Sequence, residues 1–464
     1  MWGIILERKS EQPLKRQIYA QLKEQIMAGQ LKARDELPST RELAKALGVS
    51  RNTAGEAYEM LIAEGFVINR QGAATRVAEG VSVNKSGQVM PREKPSPEYA
   101  IKADFRTGRP DLRQFPQFLW RQMMSKVSAE IPIELYGYTG PQGFPLLRRE
   151  IAAWLFRSRG LKVEAEDIYI TSGATQALHI LAALLCGNGK KILVEDPCHS
   201  GMLQAFLNMG CLIEPVPVDE QGMMTQYLQG KDACALYVTP SHQFPMGGVL
   251  PAARRVELVR FAKENGAYII EDDYDSEFRY GGEPIAPLYA MDKQNVVYVG
   301  TFSKSLFPAL RIGYVVLPEP LHRKWSALRT YTDVQNPIFE QAALAEFMRT
   351  RKIDRHIQKM RRIYGQRRHA LLESLKEAFG SEWAPYGDAA GLHVAIDFTG
   401  KRFDEAFAKM CLQNGIYITP AERHCIIKER HQSKLLIGYG HLEPEEIRQN
   451  LGILRDFMER HRYF

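Results

Sequence analysis

The sequence predicts a two-part protein: a mostly parallel α/β body preceded by a small α+β head. Three observations predict it. The chain has 464 residues, too many for one ordinary domain. Residues 81–103 are polar, carry three prolines and show no hydrophobic period, which reads as a semi-extended linker. Beyond them, helical patterns alternate with β-rich runs beginning at Ile168, Ile192, Leu236, Tyr268 and Val296. Such alternation implies a sheet covered by helices on both faces. The expected division is 1–80 for the head, 81–103 for the linker and 104–464 for the body. A smaller α+β subdomain is expected from about 350, opening on a basic helix, Arg351–Ala370.

Composition sets outer limits. The chain is 45% hydrophobic and 25% charged, ordinary for a protein with large cores. Its net charge of +7 is a mild bias, and residues 1–80 hold 12 Lys+Arg against 10 Asp+Glu, so charge alone does not argue for nucleic acid. Cys186, Cys198, Cys211, Cys234, Cys411 and Cys425 form no CxxC and no Cys/His pair at metal spacing. They read as reduced thiols of a cytoplasmic protein without a metal. The N-terminus has no signal-peptide plan, and no apolar run approaches the roughly 18–20 residues that span a bilayer.

In the head, Leu14, Ile18, Leu22 and Ile26 recur every four residues, the spacing of an amphipathic helix. Ser39 and Glu42 form a capping box, so a second helix starts there and buries Leu43, Ala44 and Leu47. Gly48-Val49 supplies a turn and Ser50 caps a third helix, whose buried stripe is Ala54, Ala57, Tyr58, Leu61 and Ile62. Arg51, Asn52 and Thr53 are left on its exposed first turn. Strands at Phe66–Asn69 and Thr75–Val77 flank Arg70-Gln71-Gly72. Helix, turn, helix and a basic-tipped hairpin make the plan of a winged helix-turn-helix, in which the recognition helix meets base edges and basic groups hold phosphates. The run Leu37-Pro-Ser-Thr-Arg-Glu-Leu-Ala44, with Gly48-Val-Ser-Arg-Asn-Thr53, resembles the GntR-type repressor domain. That resemblance implies DNA contacts from Arg41, Arg51, Asn52 and Thr53, with the Arg70, Gln71, Gly72 tip in the minor groove.

In the body, Lys304 lies in the hydroxyl-rich loop Gly300-Thr-Phe-Ser-Lys-Ser-Leu-Phe-Pro-Ala-Leu-Arg311, straight after a buried strand. That suits a lysine that condenses with an aldehyde, a task needing a depressed pKa. Thr301, Ser303 and Arg311 would hold a phosphate. In Tyr268-Ile-Ile-Glu-Asp-Asp-Tyr274, alternate residues share a face, so Asp272 and Tyr274 point the same way. Asp272 can pair with a protonated pyridine nitrogen and Tyr274 with the ring's phenolic oxygen. Calcium is the competing reading of this acidic run, but its acids sit on a strand rather than in a glycine-bearing loop. Third, Ile168-Tyr-Ile-Thr-Ser-Gly-Ala-Thr175 runs from a strand through a glycine turn into a helix, leaving backbone N–H groups for phosphate.

The order of glycine turn, aspartate strand and lysine loop resembles fold-type I aminotransferases from about Phe105 onward. This implies an aminotransferase-type sheet and pyridoxal 5'-phosphate as cofactor. By that resemblance Lys304 is the catalytic, cofactor-binding lysine, Asp272 the ring-nitrogen partner and Tyr274 the O3′ partner. Ala174, Thr175, Thr301, Ser303 and Arg311 bind phosphate, and Gln243 stands where these enzymes carry an asparagine near O3′. His199 occupies the position of the ring-stacking aromatic, and Tyr138 matches a tyrosine that reaches the neighbouring subunit's phosphate. The two halves together resemble the MocR/GabR subfamily of GntR regulators, which implies a domain-swapped, head-to-tail homodimer acting on a double-stranded DNA operator.

One departure matters. Aminotransferases grip the substrate carboxylate with a C-terminal arginine just before an Ile-Gly-Tyr-like strand. Here Leu435-Leu-Ile-Gly-Tyr439 places Gln432 at that position, and Gly201 stands where the GABA-sensing branch carries a second arginine. Arg423, Arg430 and Lys434 are the nearby substitutes; the simple reading is a changed or absent amino-acid site. Two functions fit: a regulator whose DNA affinity follows its cofactor or a small-molecule effector, and a true transaminase with an accessory DNA-binding domain. The winged helix and the missing arginine favour the regulator, and sensing of pyridoxal phosphate itself is one version of it.

Overall fold

The computed structural model describes residues 3–69, 74–82, 99–187, 189–281, 285–387 and 390–463. The chain divides into two compact units, Met1–Pro97 and Glu98–Phe464.

The first unit contains α1 (Leu14–Met27), α2 (Thr40–Leu47), α3 (Arg51–Ala63) and the antiparallel pair β1 (Val67–Ile68) and β2 (Arg76–Val77). The capping box is present: Ser39 Oγ accepts from Glu42 N–H, and Glu42 accepts from Ser39 N–H at 2.9 Å. Gly48 ends α2 at φ 63°, and Ser50 Oγ accepts from Thr53 N–H at 3.0 Å to start α3. Ile18, Leu22, Ile26, Leu43, Ala54, Ala57 and Leu61 form the core. Leu14 and Leu47 are half-buried rather than buried, and Ile62 is exposed, contrary to the expected stripe. Eight residues past Ala54, Ile62 has rotated about 80° away from it on a 3.6-residue helix.

In the second unit β3 (Ala103–Asp104) opens the chain. An eight-stranded sheet follows: β4 (Ile168–Thr171), β5 (Lys191–Asp196), β6 (Leu212–Asp219), β7 (Gly222–Met223), β8 (Ala235–Val238), β9 (Tyr268–Asp273), β10 (Val296–Thr301) and β11 (Gly313–Val316). Their spatial order is β4-β11-β10-β9-β8-β5-β6-β7. The central strands β10, β9, β8, β5 and β6 are parallel, while β11 runs antiparallel to both its neighbours. Alternate residues feed two separate cores. Ile170, Leu193, Leu236, Ile269 and Val316 pack on one face, and Tyr169, Val194, Tyr237, Ile270 and Val315 on the other. Both faces are therefore covered, as a parallel sheet requires.

The C-terminal part adds β12 (Ala384–Tyr386), β13 (His393–Asp397), β14 (Ile416–Tyr417), β15 (Thr419–Pro420) and β16 (Lys434–Gly438). β14 pairs with β3, and the rest form a sheet in the order β12-β13-β16-β15. The basic helix runs Lys352–Phe379, beyond the expected end at Ala370, because Leu371, Leu375 and Phe379 prolong its buried stripe and no breaker intervenes before Gly380. Among the described residues no helix is long and apolar enough to cross a membrane.

Candidate functional site

The chemistry-bearing residues of the body gather where adjacent strands end. β4 runs through Ser172-Gly173 into the helix Ala174–Leu181, β5 leads to His199, β9 ends at Asp272 and Asp273, and β10 delivers Thr301 and the turn carrying Lys304. Sites of α/β sheets form at the carboxyl ends of their strands, where loops can converge without breaking ladder bonds. A cavity of about 300 Å³ lies here. Ala174, Thr175, His199, Asp272, Tyr274, Thr301, Ser303, Lys304 and Arg311 all line it.

Lys304 Nζ donates to Gly108 O at 2.6 Å. Burial holds its pKa below the ordinary lysine value, against the opposing pull of Asp275 and Asp272. Gly108 is required at this contact: its φ is +68°, and a Cβ there would stand 2.7 Å from Nζ. Asp272 Oδ2 accepts from Tyr237 Oη at 2.7 Å, while its Oδ1 is buried with no hydrogen-bond partner among the described residues. Desolvation pushes this carboxyl up to about 7. The opposite face of β9 is spoken for. Glu271 accepts from the backbone N–H groups of Leu288 and Tyr289, and Asp273 pairs with Arg159 at 3.0 Å. The acids of this run are thus divided between two faces of the strand.

The end of the cavity at which a phosphate is expected is built from backbone and one cation. The helix beginning at Ala174 has no side-chain cap, so its first N–H groups are open, and Arg311 donates to Ser172 O at 2.7 Å beside them. Thr301 Oγ1 and Ser303 Oγ lie 3.0 Å apart. His199 caps the helix Ser200–Asn208 through Nδ1, which accepts from Gly201 N–H at 3.1 Å; its ring lies 4.9 Å from that of Phe244. Burial drives its pKa down to about 4, so the ring is neutral and flat at pH 7.

A family model described as bacterial regulatory proteins, gntR family, matches residues 14–77, and one described as aminotransferase class I and II matches residues 109–451. The chain is similar to the probable rhizopine catabolism regulatory protein MocR of Rhizobium meliloti, 32% identical over 97% of this chain and 95% of that protein. The chain belongs to the gntR family, fused to an aminotransferase class I and II domain. It is also 33% identical to the HTH-type pyridoxine biosynthesis transcriptional regulator PdxR of Corynebacterium glutamicum, over 82% of each. Among solved structures, the multiple substrate aminotransferase of Thermococcus profundus aligns with a TM-score of 0.71 at 26% identity, over 78% of this chain and 92% of that one. Members of the aminotransferase class bind pyridoxal phosphate.

Two residues read from the family pattern stand outside the cavity. Gln243 is fully buried; its Nε2 donates to Pro197 O and Phe244 O, and its Oε1 accepts from Met246 N–H. Those bonds use up the amide, and it is the neighbouring His242 whose Nδ1 lies 2.8 Å from Tyr274 Oη and 2.9 Å from Asp275 Oδ1. Tyr138 is 87% exposed and touches nothing of this cavity. β16 pairs with β13 so that Gly438 opposes His393 and Leu436 opposes Ala395, and His393 lines the cavity. Leu436 packs with Val218, Met246, Ala395 and Ala421, and Gly438 lies against the backbone of Arg106 and Thr107. Gln432 precedes the strand. Among the described residues Arg311 is the one arginine that lines the cavity, and neither Gln432 nor Gly201 lines it.

The sequence reading missed Thr107, Gly108, Tyr237 and His393, which also line the cavity. Tyr237 comes from a different strand, and only the parallel register that sets it opposite Ile270 brings it to Asp272. In the first unit Arg41, Arg51 and Asn52 are exposed, with no side-chain hydrogen bond or ion pair among the described residues, whereas Thr53 Oγ1 is bonded to Ser50 Oγ at 2.8 Å. Arg70, Gln71 and Gly72 lie outside the described residues.

Proposed function

We propose that this gntR-family chain is a transcription regulator that binds an operator as a homodimer, and that its body holds pyridoxal 5'-phosphate as the sensing group rather than for turnover. The observation that carries the cofactor assignment is the lone buried oxygen of Asp272. An unpaired carboxylate oxygen in a dry wall is costly unless a cation or donor meets it, and a protonated pyridine nitrogen is both. Lys304 would hold the aldehyde carbon, Tyr274 the phenolic oxygen, and Arg311, Thr301, Ser303 and the open N–H groups at Ala174 the phosphate. Bound there, the group supplies an aldehyde and an electron-withdrawing ring. The chain's own residues do the rest: Tyr237 fixes the Asp272 carboxyl, Gly108 O orients Lys304, and the neutral His199 covers the ring plane.

Arg51 and Asn52 support DNA contact because their polar groups face solvent unspent, at the helix end that enters the major groove in this motif, and Arg41 is exposed on the first turn of α2. Tyr138, exposed and idle in its own chain, fits a role at a partner's phosphate in a head-to-tail dimer. Domain limits of 1–80, 81–103 and 104–464 suit this division of labour. Regulation is preferred over turnover because relatives that match most of the chain are named as regulators. Footprinting of the DNA flanking the chain's own gene tests the reading. Two protected half-sites are expected, and uniform, sequence-independent protection would reject it.

A further inference from the structure

Three of the six cysteines meet at the end of the sheet opposite the Lys304 cavity, although their spacing along the chain does not suggest it. Strands β8, β5 and β6 lie side by side and parallel, with Ala235 opposite Ile192 and Leu212 opposite Lys191. Cys234 and Cys211 each stand one residue before their strand, so the register brings both to the edge where β5 begins. The helix that starts at Ala174 runs on into a π turn, Ala182–Cys186, whose last residue reaches the same edge. Cys234 Sγ lies 3.1 Å from Cys186 Sγ, and Cys211 is a third thiol within hydrogen-bond reach of Cys186. A disulfide bond is about 2 Å long, so roughly 1 Å of movement separates Cys186 and Cys234 from a bridge.

Burial divides the roles. Cys186 and Cys211 belong to the core on this face of the sheet, whereas Cys234 is half-buried and packs against its rim. Solvent therefore reaches Cys234 first. The thiolate is the nucleophile in disulfide exchange. The hydrogen bond that the Cys186 thiol gives to the Cys234 thiolate holds Cys234 below the ordinary thiol value, opposed by burial and helped by the charge of Lys190. The same contact, together with burial, pushes Cys186 up, so it keeps its proton until Cys234 has reacted.

We propose that Cys234 and Cys186 form a reversible thiol–disulfide site, in which Cys234 attacks a low-molecular-weight disulfide and Cys186 resolves the product. In the first step the Cys234 thiolate bonds one sulfur of the disulfide RSSR, the S–S bond of RSSR breaks, and RS⁻ leaves. In the second step Cys186 Sγ bonds Cys234 Sγ, the bond from Cys234 to the SR group breaks, and that group leaves with the Cys186 proton as RSH. The two cysteines are oxidised and one RSSR is reduced to two thiols. The bridge joins the far end of the helix whose first turn borders the cavity at Ala174 to the start of β8, the strand that carries Tyr237. Its ends are 48 positions apart, a long loop, so the bridge restricts the unfolded chain strongly and stabilises the body with or without a cofactor. Where thiols are kept reduced, such a bond is transient and reports the redox state.

The test uses the full-length chain, reduced and then exposed to oxidised glutathione under native conditions. Free thiols are blocked with N-ethylmaleimide and their positions mapped by mass spectrometry. A peptide linked through Cys186 and Cys234 is expected, reversed by dithiothreitol, together with a higher midpoint of thermal unfolding. Cys186→Ala should stop at the mixed disulfide, with glutathione held on Cys234; Cys234→Ser should take up none; and Cys211→Ser should bridge as the wild type does. Circular dichroism shows whether each variant is folded, and the wild type alone distinguishes a bridge from none. Six free thiols in the treated wild type overturn the inference, as do a bridge made through Cys211 instead and one that forms only in denaturant. A bridge that leaves the midpoint unchanged overturns its effect on the body.

Discussion

The two units place their polar groups in opposite conditions. In the first, Arg41, Arg51 and Asn52 stand in water without partners among the described residues, on a core of small and aliphatic residues around Tyr58. In the second, Asp272, Glu195 and Glu271 are buried, and each has at least one carboxyl oxygen held by a hydrogen bond. The difference suits the two ligands proposed above. A phosphodiester backbone is met from solvent by side chains that need no scaffold beyond a helix end. An aromatic aldehyde is met in a desolvated pocket, where each group must be held before the ligand arrives. Substitutions in the first unit should therefore change binding without changing the fold, and those in the second should disturb both.

Lys304→Ala gives the largest effect. The wild-type protein is expected to be yellow when loaded with pyridoxal phosphate, and the variant colourless after gel filtration; a band that survives would place the aldehyde on another lysine. Next comes Gly300→Ala. Gly300 opposes Tyr314 across β10 and β11, and a Cβ there would stand 2.3 Å from the tyrosine ring. Overpacking at a ring held on a paired strand should cost about 3 kcal/mol, the upper end of the usual range. Thermal unfolding read through the cofactor band checks this, and an unchanged midpoint would show that the ring yields.

The legible parts of this molecule were those whose signals are local in sequence. The capping box at Ser39, the cap at Ser50 and the five β-rich runs each announce themselves within a few residues. The glycine turn, aspartate strand and lysine loop were legible because each joins a strand end to a distinctive side chain. β6 was hidden by Pro215 and Pro217, which read as breakers, and β11 by the phosphate loop before it. The Tyr237–Asp272 bond was illegible for a different reason, since it depends on which strands lie side by side. Gln243 lies outside the cavity. The motif Ser241-His-Gln-Phe-Pro names the right loop, but only its hydrogen bonding shows that the amide serves the loop itself while His242 serves Tyr274.

Arg51→Ala should weaken specific operator binding by roughly 1–3 kcal/mol if the guanidinium reads a base edge, with unfolding unchanged. Mobility-shift titrations at fixed salt measure it. Equal affinity of wild type and variant would move the reading element away from α3, and an equal loss on unrelated DNA would make Arg51 a phosphate contact instead.

The smallest effect belongs to Ser50→Ala. Ser50 Oγ accepts from Thr53 N–H at 3.0 Å and lies 2.8 Å from Thr53 Oγ1, so one hydroxyl both caps α3 and orients a residue of its exposed first turn. Removing it frees an amide at the helix start and should cost about 1 kcal/mol. Because the chain has two units, that loss must be read locally. Hydrogen exchange of the Thr53 amide should accelerate about fivefold, the factor that corresponds to 1 kcal/mol, while exchange in β9 and the cofactor band stay as they were. If β9 exchanges faster in this variant, the two units do not unfold independently, and the contrast between a solvent-facing site and a buried one would have to be drawn within a single cooperative body.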